Sequence, residues 1–408
     1  MKLSKNARNA IFIGSLCSIS YLAVYIARNI LSAVTPQMLE GGGFSEEYIA
    51  ELSSVYLIFY AIGQLINGAI GDKIKARYMI SFGLLLAGVT NLLFPLLSGY
   101  SGFAKYIYGC TGFFLAMIYG PMTKVVAENT EPIHATRCSL GYTFAAFFGS
   151  PLAGVLAAFL TWQSVFVTSS AALFLMATVA FTSFLILEKR GIVRYGQYRS
   201  GNSDKPAFSE GIKVLLKHRI AKFACISILT GVIRTSVVFW LPTFFLQYHG
   251  YSPKTSSLLF TYATFILSAT PFLAVFLYER VMKFNMDRTI LALFSASSIF
   301  FLLVFLIKFP PVNIALIVLA VMASNGAASM LWSRYCPSLR DTGMVSGATG
   351  FLDFLSYTAA AISNIIFANA ATEIGWGYLI LVWMGLMLLG VALMLPYGKI
   401  LGKSAKSA

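Results

Sequence analysis

The side chains in this chain with the most chemistry to offer are two arginines set inside long apolar runs. Arg28 lies in YLAVYIARNILSAVTP (21–36) and Arg234 in ISILTGVIRTSVVFWLPT (226–243). An ionisable group at membrane depth costs about 2.5–3.5 kcal/mol on insertion scales, so it is retained where it faces a polar cavity or a partner. A guanidinium offers a planar fork of donors and a charge that cannot be neutralised, which suits it to bidentate binding of an oxyanion. A phosphoryl group, carrying about −1.5 to −2 charges at neutral pH, is matched by two such forks. Tyr21 and Tyr25 precede Arg28 by seven and three residues and share its helix face. A proline follows each arginine at the same distance, Pro36 and Pro242. The competing reading is structural, with the arginines tied to helix carbonyls or to Asp353.

Asp353 is the acid in the middle of an apolar segment, flanked by Phe351, Leu352, Phe354 and Leu355. It could pair with an arginine when the site is empty, take up a proton, or contact a hydroxyl or amine of a bound molecule, and the sequence leaves all three open. Tyr142, Thr143, Tyr262, Ser268, Ser324, Asn325 and Tyr357 also lie at membrane depth, where cavity lining competes with packing and interhelical hydrogen bonding. The five cysteines are scattered without C-x-x-C spacing, and His134, His218 and His249 fall in loops or at segment ends. Neither set suggests a metal site. With no nucleophile or acid–base constellation in a plausible cavity, the expectation is a protein that is not an enzyme and holds no cofactor.

The elements that must position these residues are membrane helices. At 58% hydrophobic and 11% charged residues, with a mean hydropathy of +0.77, the 408-residue chain reads as a polytopic membrane protein. Runs of about 20 apolar residues suffice to cross a bilayer. Twelve are expected, near 10–39, 49–70, 78–97, 104–122, 140–160, 165–187, 221–247, 256–277, 290–307, 312–332, 344–368 and 378–395. No cleavable leader is expected, since MKLSKNARN feeds directly into the first span. The net charge of +15 is a topology signal rather than a nucleic-acid footprint. With alternating helices, 25 of the 30 Lys and Arg residues fall on the side that holds the N-terminus, which places both termini in the cytoplasm of a plasma-membrane protein. A basic, weakly hydrophobic segment at 188–220 separates residues 1–187 from 221–408, and its FSEGIKVLLKHR stretch is amphipathic enough to lie on the membrane surface. The two halves keep register: Arg28 to Arg234 and Pro36 to Pro242 are each offset by 206 residues, while Gly43 to Gly250 and Asp72 to Glu279 are offset by 207. This is a duplicated six-helix unit, an arrangement that puts a binding site near the midplane between repeats.

The motif Gly68-x-x-x-Asp72-Lys73, followed by Lys75 and Arg77, resembles the loop between helices two and three of the major facilitator superfamily. The resemblance implies an all-α membrane fold of twelve helices in two pseudo-symmetric six-helix bundles. It also implies that Gly68, Asp72, Lys73 and Arg77 act as a conformational latch. Within that superfamily, the Tyr21, Tyr25, Arg28 order before a proline and the Arg234, Trp240, Pro242, Thr243 spacing are similar to the organophosphate:phosphate antiporters, including glycerol-3-phosphate and hexose-phosphate carriers. MIYGPMTK, with Pro121 and Lys124, and SGATGFLDFLSY match more loosely. The implied activity is exchange of a small organophosphate for inorganic phosphate by a monomeric carrier, with Arg28, Arg234, Tyr21, Tyr25, Gln64 and Asp353 around the substrate. Two departures bear on the substrate: Gln64 stands where glycerol-phosphate carriers have a lysine, and YTFAAFFG supplies no histidine on helix five. A proton-coupled symporter for an organic anion such as a carboxylate, and a membrane sensor of an organophosphate, are the rival readings.

Overall fold

The computed structural model describes residues 4–41, 43–71, 74–195, 215–339 and 345–395, and the regular structure among them is entirely helical. Ten helices are long and apolar enough to cross a membrane. With α4 (Ser101–Asn129) and α5 (Pro132–Phe159), of 29 and 28 residues, they make the twelve expected. The others are α1 (Lys5–Glu40), α2 (Glu46–Gly71), α3 (Ala76–Leu97), α6 (Trp162–Lys189), α7 (Ile220–Gln247), α8 (Pro253–Val281), α9 (Met286–Leu306), α10 (Pro310–Tyr335), α11 (Val345–Glu373) and α12 (Gly375–Met394).

Helix ends follow capping chemistry rather than the limits of apolarity. Ser4 accepts the Ala7 N–H at 3.1 Å and starts α1 five residues before the apolar run. Thr161 and Ser252 cap α6 and α8 in the same way, and Pro132, Pro253 and Pro310 occupy first-turn positions. Hydropathy ended the fourth span near residue 122 and began the fifth at 140. The helices run to Asn129 and from Pro132, because Lys124, Glu128 and Arg137 interrupt the apolar pattern without interrupting the helix. Gly250 and Gly375, at φ of +70° and +79°, make the tight turns before α8 and α12 that an L-side chain would resist. The surface amphipathic stretch expected at 208–219 lies mostly outside the described residues.

Burial is inverted relative to a water-soluble protein. Leu96, Phe103, Phe159, Leu175 and Leu389 are exposed, while Asn91, Thr111, Ser170 and Asn313 are buried. Lipid tolerates the first set, whereas polar atoms at this depth must find partners inside the protein. Asn91 Nδ2 donates to Ser170 Oγ at 2.9 Å and to the Phe166 carbonyl at 3.2 Å, joining α3 to α6, and the Thr90 and Thr111 hydroxyls meet at 2.8 Å between α3 and α4.

The chain packs as two compact units. The first takes in residues 1–205, 235–268 and 357–369; the second 206–234, 269–356 and 370–408. Within the first unit, the parts of α7, α8 and α11 nearer the α1–α2 end are stitched to α1 and α2. Ser32 Oγ donates to the Phe239 carbonyl at 2.7 Å and Ser257 Oγ to that of Ala33 at 3.0 Å. Ser54 Oγ donates to the Ala361 carbonyl, and Asn364 Nδ2 to Ser53 Oγ at 2.7 Å. In the second unit, Ser297 Oγ donates to the Ala320 carbonyl at 2.8 Å and Asn313 Nδ2 to that of Val304 at 2.7 Å, holding α9 against α10.

Candidate functional site

Arg28 sits within α1, a helix of 36 residues, on the face that also carries Tyr21 and Tyr25. Its guanidinium carbon lies 4.8 Å from the ring centroid of Tyr60 on α2, 4.9 Å from that of Tyr357 on α11 and 5.4 Å from that of Tyr25. Each distance is within cation–π range, where a desolvated contact contributes about 2 kcal/mol. No carboxylate among the described residues pairs with Arg28. Its Nη1 is buried and donates to no acceptor among them. Aromatic faces thus hold the cation while leaving a donor unspent, the arrangement that an incoming oxyanion would complete.

The tyrosine cluster continues beyond the arginine. Tyr21 meets Tyr25 edge-on at 4.9 Å, Tyr119 of α4 at 5.5 Å and Tyr142 of α5 at 6.2 Å between centroids, while Tyr56 stacks on Tyr60 at 6.3 Å and on Tyr108 at 5.1 Å. Glycines set these positions: a Cβ on Gly149 of α5 would collide with Tyr25, and one on Gly112 of α4 with the backbone and ring of Tyr56. The close helix approach that glycine permits therefore brings α4 and α5 against the tyrosine-bearing faces of α2 and α1.

Of the residues singled out from sequence, Tyr21, Tyr25 and Arg28 come together, and Gln64 is half-buried one turn beyond Tyr60 on α2. Arg234 and Asp353 are half-buried members of the other unit. Arg234 lies in a π-helical stretch, Val232–Val237, and such stretches recur at functional sites. Tyr60, Tyr56 and Tyr119 escaped the sequence reading. Tyr56 and Tyr60 repeat the four-residue spacing of Tyr21 and Tyr25, which was the available signal.

In the expected latch, Gly68 falls in the last turn of α2, and Asp72 and Lys73 lie outside the described residues. Arg77 is buried and pairs with Glu188 at the end of α6, Nη1 to Oε2 at 2.9 Å, while its Nη2 donates to the Tyr78 hydroxyl at 2.8 Å. Tyr195 donates its hydroxyl to the other Glu188 oxygen at 2.9 Å. Burial, and then this hydrogen bond, push the Tyr195 phenol well above its ordinary pKa, so it remains a donor at neutral pH. The Arg194 N–H donates to Asn129 Oδ1 at 2.7 Å, pinning the chain after α6 to the end of α4. Glu188 is the partner that the sequence did not single out for Arg77.

Residues 17–364 match the Major Facilitator Superfamily. The chain belongs to that family. Its fold is similar to that of a bacterial homologue of the human lysosomal transporter Spinster, solved in an inward-facing, unoccupied conformation. It superposes with a TM-score of 0.75 at 12% identity, covering 96% of this chain and 97% of its own. Among curated relatives, the glycerol-3-phosphate transporter of Bacillus subtilis is 26% identical over 279 residues, 62% of this chain and 60% of the relative. The phosphoglycerate transporter protein of Salmonella typhimurium is 22% identical over 387 residues, 88% of this chain and 82% of the relative. Membership in the Major Facilitator Superfamily makes the chain a multi-pass membrane transporter by fold and family, and not an enzyme.

Proposed function

We propose that this protein exchanges a small organophosphate for inorganic phosphate across the plasma membrane by alternating access, with both termini in the cytoplasm. The observation that carries the reading is Arg28: a buried guanidinium, held by three tyrosine faces, with a donor left for an anion. Relatives named for glycerol-3-phosphate and phosphoglycerate transport support a phosphorylated substrate. Arg234, related to Arg28 by the duplication, supplies the second cation, and Gln64 and Asp353 discriminate the organic portion. Loading the site offsets the buried charge of Arg28, so the loaded carrier reorients more readily than the empty one and transport proceeds as exchange.

The test is counterflow in liposomes preloaded with phosphate, run against glycerol phosphates, phosphoglycerates, sugar phosphates and carboxylates. Phosphorylated compounds are expected to exchange and carboxylates not. Arg28→Lys keeps the charge but loses the fork, and is expected to lower exchange by about tenfold or more, the equivalent of about 1.4 kcal/mol or more, with folding intact. Exchange of carboxylates alone, or a fully active Arg28→Lys, rules the reading out.

A further inference from the structure

The tyrosine cluster around Arg28 holds a single formal charge. The ionisable groups that act most strongly on the guanidinium are Tyr357, Tyr25, Tyr60 and Tyr56, and those that act most strongly on Tyr21 are Tyr25, Tyr60 and Tyr119. A phenol is uncharged at neutral pH, so the cluster contains one cation and no anion. Lys124 lies five residues beyond Tyr119 on α4, and Glu128, one turn further, offsets its charge. The proposed function adds Arg234 and Asp353, whose opposite charges leave the count unchanged.

Two donors in this cluster are unspent. Arg28 Nη1 is one, and the hydroxyl of Tyr56 is the other, buried without a hydrogen-bond partner among the described residues. Tyr56 is only 4% exposed, so water does not supply the missing partner from its surface. Its ring is held in place by Tyr108 at 5.1 Å and Tyr60 at 6.3 Å, and Gly112 packs so closely that an added Cβ would stand 3.1 Å from that ring. A buried hydroxyl that makes no bond carries a desolvation cost that phenylalanine at the same position would avoid. Tyr56 thus carries a neutral donor one turn along α2 from Tyr60, the ring that lies 4.8 Å from the Arg28 guanidinium.

We propose that the Tyr56 hydroxyl and Arg28 Nη1 bind one phosphate group together, and that this pairing of a neutral donor with a single cation selects a singly charged substrate: a phosphodiester, or a phosphomonoester that carries one proton. This rests on the organophosphate reading above and narrows its substrate class. The two unesterified oxygens of a diester take one donor each, and its one charge is neutralised by Arg28. A doubly charged monoester leaves a negative charge without a counter-charge in a buried site. The ring faces add to that penalty, since the quadrupole that attracts the guanidinium presents negative potential to an anion.

The test is apparent affinity in phosphate-loaded liposomes carrying the full chain, with internal pH fixed and external pH stepped from about 6 to about 8. The probes are glycerol-3-phosphate, the diester glycerophosphoglycerol and a dicarboxylate. The second ionisation of a monoester lies near pH ~6, so its singly charged fraction falls about 50-fold over this range, whereas the diester keeps one charge throughout. Apparent affinity for glycerol-3-phosphate is expected to fall in proportion. That for the diester is expected to stay within about twofold, which also controls for any effect of pH on the protein. Tyr56→Phe keeps the ring and removes the hydroxyl. It is expected to raise KM for the diester about tenfold, with the maximal rate within about threefold and thermal stability no lower than the parent's. A parental KM in Tyr56→Phe, or a protein destabilised by that change, overturns the role of the hydroxyl. If affinity for glycerol-3-phosphate holds through pH ~8 and the diester is not exchanged, charge selection is overturned and the organophosphate reading stands. Exchange of the dicarboxylate alone removes that reading, and the diester with it.

Discussion

Arg28 owes its position to aromatic faces, with no counter-charge among the described residues, and this determines how its neighbours should respond to mutation. A carboxylate partner would neutralise the guanidinium and compete with any arriving anion, whereas ring quadrupoles hold the cation and leave its charge available. Tyr60→Phe keeps the ring face and is expected to leave phosphate counterflow within about threefold of the parent. Tyr60→Ala removes a contact of about 0.5–2 kcal/mol and is expected to weaken apparent phosphate affinity by about 3- to 30-fold. Equal damage from both would mean that the hydroxyl, not the ring, is what matters. The contribution of Tyr25 was legible in the sequence because it shares one helix with Arg28 at a three-residue spacing. Tyr357 was legible only as one of several polar residues at membrane depth and Tyr60 not at all, because which helices lie beside α1 is a long-range property that local periodicity does not carry.

At the scale of elements, small residues decide how closely the tyrosine-bearing helices approach. Gly149 faces Tyr25 so tightly that one added methyl would meet its Cβ and main chain, where no flexible side-chain end can yield. Gly149→Ala is therefore expected to push α5 off α1, costing roughly 1–3 kcal/mol as overpacking does and lowering exchange. Gly120→Ala, at a helix position where an added Cβ meets nothing, serves as the control and should preserve both thermal stability and counterflow. A Gly149→Ala protein as stable and active as this control would remove glycine packing from the account of the site. The twelve helices themselves could be read from hydropathy, since a 20-residue apolar run has one structure in lipid. Their ends could not, because Lys124 and Glu128 continue a helix that the apolar pattern had already abandoned. The π-helical stretch around Arg234 was equally hidden: nothing in VIRTSV distinguishes i→i+5 bonding from i→i+4.

For the whole molecule, the strongest long-range signal is the distribution of charge. The side of the membrane faced by the seam joining α1 and α2 to α7, α8 and α11 follows from that distribution. The insertion machinery retains Lys and Arg in short loops on the cytoplasmic side, and only Lys105, Lys254 and Lys308 fall in the loops and helix ends opposite. Gly43 and Lys254, exposed beside the α1–α2 and α7–α8 turns, should then face outward, and the basic segment around Ser203 should face the cytoplasm. With the five native cysteines replaced, Gly43→Cys and Lys254→Cys are expected to react with an impermeant thiol reagent in intact cells. Ser203→Cys is expected to react only after the membrane is opened. The two sets test each other, since an inverted chain exchanges both results at once, whereas a lost span would expose one outward site and hide the other. Labelling of Ser203→Cys in intact cells, with both outward sites silent, would reverse the orientation. The Ser32, Ser54 and Asn364 seam would then lie on the cytoplasmic side.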